Sequence, residues 1–416
     1  MPRTIRTDLV VIGGGPAGLA AAISAAESGV KNIILIERQS KLGGILSQCI
    51  HNGFGLRYFN QELTGPEYAQ RFIDELTSFP QIEVKLNTMV IQLGSNHRVV
   101  TVNDLEGLVC YQATAIILAM GCRERPRGAI NIPGTRPAGI YTAGTIQHLM
   151  NIDGYLPGKE AVVLGSGDIG LIMARRLTLE GVRVRAVLEL MAYSNGLNRN
   201  IVQCLEDYEI PLFLSHTVTK IYGDKRIQGV KAAPVDENHN PILERVFTLP
   251  CDTLVLSVGL IPENELSLMA GIGLDPTTKG PLVDSSYQTT VSGIFACGNV
   301  VHVHDLVDDV SEESKVTGRA AAAYVLGQKT LMRQVKFKIG RNIRSIVPQS
   351  LFIDGQTTIY IRAEYPETDA ILKVGKGKAR QRVVSPGETI RYLVKPEDVH
   401  DYNEFVPVSI EGGESS

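Results

Sequence analysis

Residues Asp8–Glu37, DLVVIGGGPAGLAAAISAAESGVKNIILIE, leave few choices of fold. A hydrophobic, β-branched run enters a glycine turn, an alanine-rich stretch of helical character follows, and a second apolar run ends in an acid: strand, turn, helix, strand. Gly13, Gly15 and Gly18 stand at the spacing G-x-G-x-x-G. The first glycine permits a tight turn, the second lets main chain approach a pyrophosphate, and the third packs helix against strand. Pro16 and Ala17 open the helix, whose N-terminal N–H groups and dipole receive negative charge. Glu37, 24 residues after Gly13 and followed by Arg38, places a carboxylate for ribose hydroxyls.

The pattern returns 152 residues later in Ala161–Glu189, AVVLGSGDIGLIMARRLTLEGVRVRAVLE. Gly165, Gly167 and Gly170 repeat Gly13, Gly15 and Gly18, Gly181 repeats Gly29, and Glu189 repeats Glu37, all without a gap. Asp168 opens the second helix. Five positions in register identify two dinucleotide-binding units in one chain.

At 416 residues the chain exceeds one core and predicts two or three domains. Its 44% hydrophobic and 20% charged residues fit a globular protein, and a net charge of −3 argues against nucleic acid or an anionic membrane surface as partner. The six cysteines, at 49, 110, 122, 204, 251 and 297, never come closer than 12 residues, which excludes a CxxC pair and a local iron–sulfur motif. A reducing cytoplasm is the expected setting. Arg3 and Arg6 before an apolar run imitate a signal peptide, but Asp8 and the Gly13–Pro16 turn interrupt it. No apolar run reaches the roughly 18 residues of a spanning helix.

Along the chain, Tyr68, Phe72, Ile73 and Leu76 predict a helix over 65–79. Strands at 82–86 and 99–102 bracket a hairpin tip at Asn96-His97, and 113–119 is a buried strand ending in Met120-Gly121-Cys122. Arg123–Pro137 reads as a crossover between domains. Short β segments fill 210–247, and 253–259 is another buried strand. Gly293–Val325 predicts a strand, a Gly298-Asn299 turn and a helix entered through a capping-box-like Asp309 and Glu312. Beyond Leu331, alternating apolar residues predict a separate all-β module, whose basic run Lys373–Arg382 reads as a hairpin tip or docking face.

The order of these pieces, with Ala119-Met120-Gly121, Gly259-x-x-Pro262 and Gly293-Ile-Phe-Ala-Cys-Gly298-Asn299, resembles the two-dinucleotide-binding-domain flavoproteins that include thioredoxin and glutathione reductases, over residues 8–328. GGILSQCIHNGFG, YTAGTIQHLMN and CGNVVHVHDLVD, with the β-rich tail, look like the flavoprotein subunits beside anaerobic glycerol-3-phosphate dehydrogenases. They are also similar to subunits of sarcosine, opine and proline oxidoreductases. The resemblance implies an α/β architecture with an FAD domain (1–122 and 250–331) split around an inserted NAD domain (123–249), and a small C-terminal all-β domain (332–416). It implies FAD contacts at the first fingerprint, Gly44, Val90, Ala119, Gly121, Gly298, Asn299 and Val310, and NAD contacts at the second fingerprint, Glu189 and Gly259. The helix near Asp309 would aim the N–H groups of about Val310 and Ser311 at the flavin. Where the superfamily carries aspartate this chain has Asn299, and the redox dithiol is absent.

The expected reaction is hydride exchange between NAD(H) and FAD, with electrons passing to or from a partner dehydrogenase or iron–sulfur subunit. The assembly is expected to be a hetero-oligomer, with a homodimer as the form of the chain alone. A first alternative makes Cys49, with His51 beside it, the nucleophile of a stand-alone disulfide, peroxide or oxygen reductase. A second makes the chain a silent FAD-bearing scaffold. Glu189 favours NAD over NADP by repelling a 2′-phosphate, although Arg183 and Arg185 lie nearby in sequence. His302 and His304, with Asp305 and Asp308, have a suggestive spacing, but no third ligand in order, and no metal is expected. Deletion after Leu331 is expected to spare FAD binding.

Overall fold

The computed structural model describes residues 3–328, 333–353 and 355–412. The chain forms two compact units, Met1–Cys122 with Pro262–Ser416, and Arg123–Ile261.

The first unit is organised on a seven-stranded sheet. Arg3–Ile12 runs parallel between Ile33–Ile36 and Gly107–Leu118, Ile82–Lys85 lies outside Ile33–Ile36, and Ile294–Ala296 joins the far side of Gly107–Leu118. Strands covered on both faces read as continuous apolar runs. Accordingly Leu9 and Val11 enter one hydrophobic cluster, and Val10 and Ile12 the opposite one. Helix Pro16–Glu27 covers the first face beside helix Val307–Val325. Small residues let them approach so closely that a Cβ on Gly318 would overlap the Ala21 carbonyl. Met89–Leu93 and Arg98–Asn103 extend the sheet as an antiparallel meander, whose tip has His97 at φ 61°.

The second unit carries a parallel sheet in the order Ile140–Thr142, Thr253–Leu256, Glu160–Leu164, Arg183–Leu188, Leu212–Phe213, with an antiparallel three-stranded sheet over 216–250. Thr253–Leu256 pairs on both edges inside this sheet, so the second unit continues to Ile261, and the expected return to the first domain at 250 comes too early.

Residues 334–411 form five-stranded and three-stranded sheets around their own core, the β-rich tail expected from the alternation. The 331/332 boundary lies outside the described residues. The module also packs on the core of the first unit, where Val347 belongs to the cluster beneath the first sheet. Gln349 and Val283 also bond to each other twice, main chain to main chain at 3.1 Å and through the Gln349 side chain at 2.9 Å. Three of the five basic residues of the module's hairpin are paired with acids, Lys373 with Glu411, Lys376 with Asp401 and Arg380 with Asp369. Among the described residues no helix is long and apolar enough to cross a membrane.

Candidate functional site

The two fingerprint turns are built alike, bond for bond. Gly13 N–H donates to Ile36 O at 2.8 Å and Gly165 N–H to Leu188 O at 2.7 Å, which ties each turn to the neighbouring strand. One oxygen of Glu37 accepts Gly14 N–H at 2.7 Å and the other accepts Gln39 N–H at 2.8 Å. Glu189 does the same with Ser166 N–H and Met191 N–H, each at 2.9 Å. Both acids are buried, so their carboxylates brace the turns whose hydrogen-bonding edge a ribose would share. A Cβ on Gly13, at φ 110°, would run into the Ala119 carbonyl, and one on Gly18 would overlap the Gly13 carbonyl. Gly15 by contrast faces only Gly44 Cα, 3.9 Å from where its Cβ would lie. The glycines therefore make a cradle of bare main chain, and both fingerprint helices start at a glycine with no side-chain cap, leaving first-turn N–H groups for phosphate oxygens. The residues present fit a dinucleotide in each turn.

Asp168 turns back instead, its Oδ1 accepting Leu197 N–H at 2.8 Å and Asn200 Nδ2–H at 2.6 Å, and so anchors the loop after Glu189. Arg185 is held by Glu160 at 2.6 Å, and Arg183 stands six residues before Glu189, about 20 Å along an extended chain. Gly259, at φ 104°, accepts Arg125 N–H on its carbonyl at 2.9 Å.

In the first unit Gly121 has φ 71° at the end of the central strand. Gly298 has φ 73°, and a Cβ there would lie 2.7 Å from Ala17 Cβ and 3.4 Å from Val310 Cγ1, so this turn abuts the first fingerprint helix. Helix Val307–Val325 begins three residues before Val310. The Val310 N–H already donates to Leu306 O at 3.4 Å, so the first-turn amides belong to Val307, Asp308 and Asp309, earlier in the chain than the expected Val310 and Ser311. Nor do Asp309 and Glu312 form a capping box, since both pair with Arg391, at 3.1 and 2.5 Å. Val90 is buried in the meander's apolar cluster, and Arg38 is exposed.

Cys49 caps the short 3-10 turn Gly44–Gln48, with Sγ 3.3 Å from Ile45 O, and is half-buried. His51 Nδ1 lies 3.1 Å from Asn52 O, with its ring tilted against Phe54. Burial pushes the Cys204 thiol up to about 11 and those of Cys251 and Cys297 up to about 12, which keeps them protonated and unreactive.

The two histidines do acquire a third partner, which the sequence spacing concealed. Glu313, fully buried on helix Val307–Val325, places Oε2 3.2 Å from His302 Nε2 and 2.9 Å from His304 Nε2, and its Oε1 accepts Gly298 N–H at 2.7 Å. Asp305 instead pairs with Arg362, and Asp308 accepts Arg57 N–H. The imidazole rings lie against each other at a 42° tilt, with centroids 3.9 Å apart. Two imidazoles on one tetrahedral metal would hold their centroids about 5 Å apart, so the arrangement fits hydrogen bonding to a carboxylate better than coordination. Burial, with the charge of His304, pushes His302 down to about 4. Below its ordinary value of 6.5 the unfolded chain binds this proton and the folded chain does not, so stability is complete above that pH and falls by about 3 kcal/mol as pH drops to 4. Urea unfolding of His302→Gln is expected to lose this slope; an unchanged slope would refute the assignment.

A family model described as pyridine nucleotide-disulphide oxidoreductase matches residues 7–324. The chain belongs to this family. It is similar to hydrogen cyanide synthase subunit HcnB of Pseudomonas protegens, 26% identical over 78% of this chain and 71% of that one. It is also similar to an opine oxidase subunit of Agrobacterium tumefaciens, 25% identical over 78% and 66%. The T. acidophilum thioredoxin reductase structure superposes with a TM-score of 0.63 over 76% of this chain and 98% of that one, at 24% identity, a likeness of fold. The protein is thus an NAD(P)- and FAD-dependent oxidoreductase with two Rossmann-like units and a small C-terminal β domain.

Sequence reasoning missed Glu313, Tyr287 and Tyr360. Nothing in the local pattern SEES distinguishes buried Glu313 from its exposed-side neighbour Glu312, and the tyrosines come from distant strands and loops.

Proposed function

We propose that this chain binds FAD in its first unit and NAD in its second, exchanges hydride between them, and passes electrons to or from a partner dehydrogenase or iron–sulfur subunit. The observation that carries this reading is the duplication of the braced turn, Glu37 with Gly14 and Gln39, Glu189 with Ser166 and Met191. Bound FAD supplies the two-electron chemistry, while the chain supplies binding, orientation and electrostatics. Gly13–Gly18 and the Gly298-Asn299 turn would hold its phosphates and sugar chain, and Glu37 its ribose. Six dispersed cysteines offer no dithiol outlet, and two similar proteins are named as subunits, which together favour a protein partner. The native chain isolated from its source is expected to bring stoichiometric partner subunits with it. A chain that runs alone and turns over a small molecule unaided would defeat the partner reading.

NAD is preferred over NADP because the Glu189 carboxylate closes the second turn and Arg185 is engaged by Glu160. A 2′-phosphate beside that carboxylate meets like charge, so bleaching of the flavin by NADH is expected to be at least about tenfold faster than by NADPH at equal concentration. Equal rates would remove the argument.

The second reading, a Cys49-dependent reductase, is favoured by the partial exposure of that thiol near the first turn. On the main proposal Cys49→Ser leaves NADH-dependent dye reduction within about twofold of the parent. A loss of disulfide or peroxide turnover in that variant alone would establish the rival.

A further inference from the structure

We propose that His304, charged by its pairing with Glu313, is a positioning residue that fixes the orientation of Asn299 in the turn assigned above to FAD. The inference rests on that assignment.

Asn299 Oδ1 lies 3.0 Å from the His304 main-chain N–H, and since that group can only donate, the amide oxygen is correctly identified and not interchanged with nitrogen. The same oxygen lies 3.2 Å from His304 Nδ1, while His304 Nε2 lies 2.9 Å from Glu313 Oε2. Each ring nitrogen thus faces an acceptor, and only the imidazolium donates from both. His304 and Glu313 form a buried ion pair, with side-chain exposures of 2% and 0%. Burial pushes the Glu313 carboxyl up, but the His304 charge and hydrogen bonds from both histidines outweigh it and bring it down to about 2. Among the described residues, groups that face the pair include Cys297, Tyr287 and neutral His302 in the same region, with Tyr360 and Arg362 from the β module.

The pair holds both residues of the turn. Glu313 Oε1 takes Gly298 N–H directly, and His304 takes Asn299 through its side-chain oxygen. Because two donors from His304 occupy that oxygen, the amide NH2 is the face Asn299 offers elsewhere, one hydrogen pointing to Cys122 Sγ at 3.6 Å. An aspartate at this position presents only acceptors. The His304–Asn299 arrangement presents donors, which suits oxygen acceptors of a phosphate or sugar chain.

The test uses the full-length chain. Nitrogen-15 NMR of labelled histidine in the FAD-free protein should show one histidine protonated at both ring nitrogens in the folded chain, its signals absent in His304→Gln. A neutral His304, or a stoichiometric divalent metal by elemental analysis, would overturn the proposal. FAD titration should then show at least about tenfold weaker binding for His304→Gln and for Asn299→Ala, with the double variant no worse than the weaker single one. Undiminished binding in His304→Gln, or additive losses, would overturn the positioning role. Failure of the parent chain to bind FAD would instead defeat the assignment of the turn, leaving the NMR result to stand on its own.

Discussion

Gly18→Val is expected to abolish stoichiometric FAD uptake while Gly170→Val spares it and weakens the response to NADH. A side chain at Gly18 would overlap the Gly13 carbonyl, and one at Gly170 would come within 2.7 Å of the Gly165 carbonyl. Either substitution must push its helix away from its strand and spoil the cradle of main-chain N–H groups. Overpacking of this kind costs roughly 1–3 kcal/mol, about a fivefold to hundredfold loss of affinity, and more when the obstacle is backbone, as it is here. FAD content and NADH-dependent bleaching read the two sites separately. Retention of FAD by Gly18→Val with loss from Gly170→Val would reverse the assignment of the units.

Truncation after Gln328 is expected to produce a chain that no longer retains FAD and aggregates, contrary to the separability expected from sequence texture. Tyr360 lies over the His302 and His304 rings with centroids 5.3 and 5.4 Å away, Arg362 pairs with Asp305, and Arg391 with Asp309 and Glu312. Val347 fills the cluster under the central strands. Exposing these surfaces gives up the burial of Val347 and Tyr360 at about 1.5–3 kcal/mol each, together with the ion pairs of Arg362 and Arg391, a sum that reaches the lower end of the roughly 5–15 kcal/mol that holds a domain together. A soluble truncated chain with parent-like FAD affinity would show that these contacts are dispensable.

The doubly wound core was legible because its signals are local. Gly13, Gly15, Gly18 and Glu37 fall within 30 residues, and their repeat at Gly165–Glu189 confirms the period. The observed helices Pro16–Glu27 and Asp168–Leu179 lie where those turns demand. What escaped depends on contacts between distant segments. Thr253–Leu256 reads as a buried strand in any sheet, and only its pairing with Ile140–Thr142 and Glu160–Leu164 assigns it to the second unit. Glu313 lies nine residues beyond His304 across a change from turn to helix, so no periodicity joins them. The β module has an alternating pattern that predicts strands but says nothing of the surface that Tyr360 and Arg362 cover.

The most direct test of the account is anaerobic mixing of the purified, FAD-loaded chain with NADH. The account predicts full loss of the flavin's visible absorbance, unaffected by Cys49→Ser, with the reduced chain reoxidised slowly by disulfides or oxygen and rapidly by its native partner. A flavin that NADH leaves oxidised, or one whose turnover with a disulfide requires Cys49 and no partner, would contradict it.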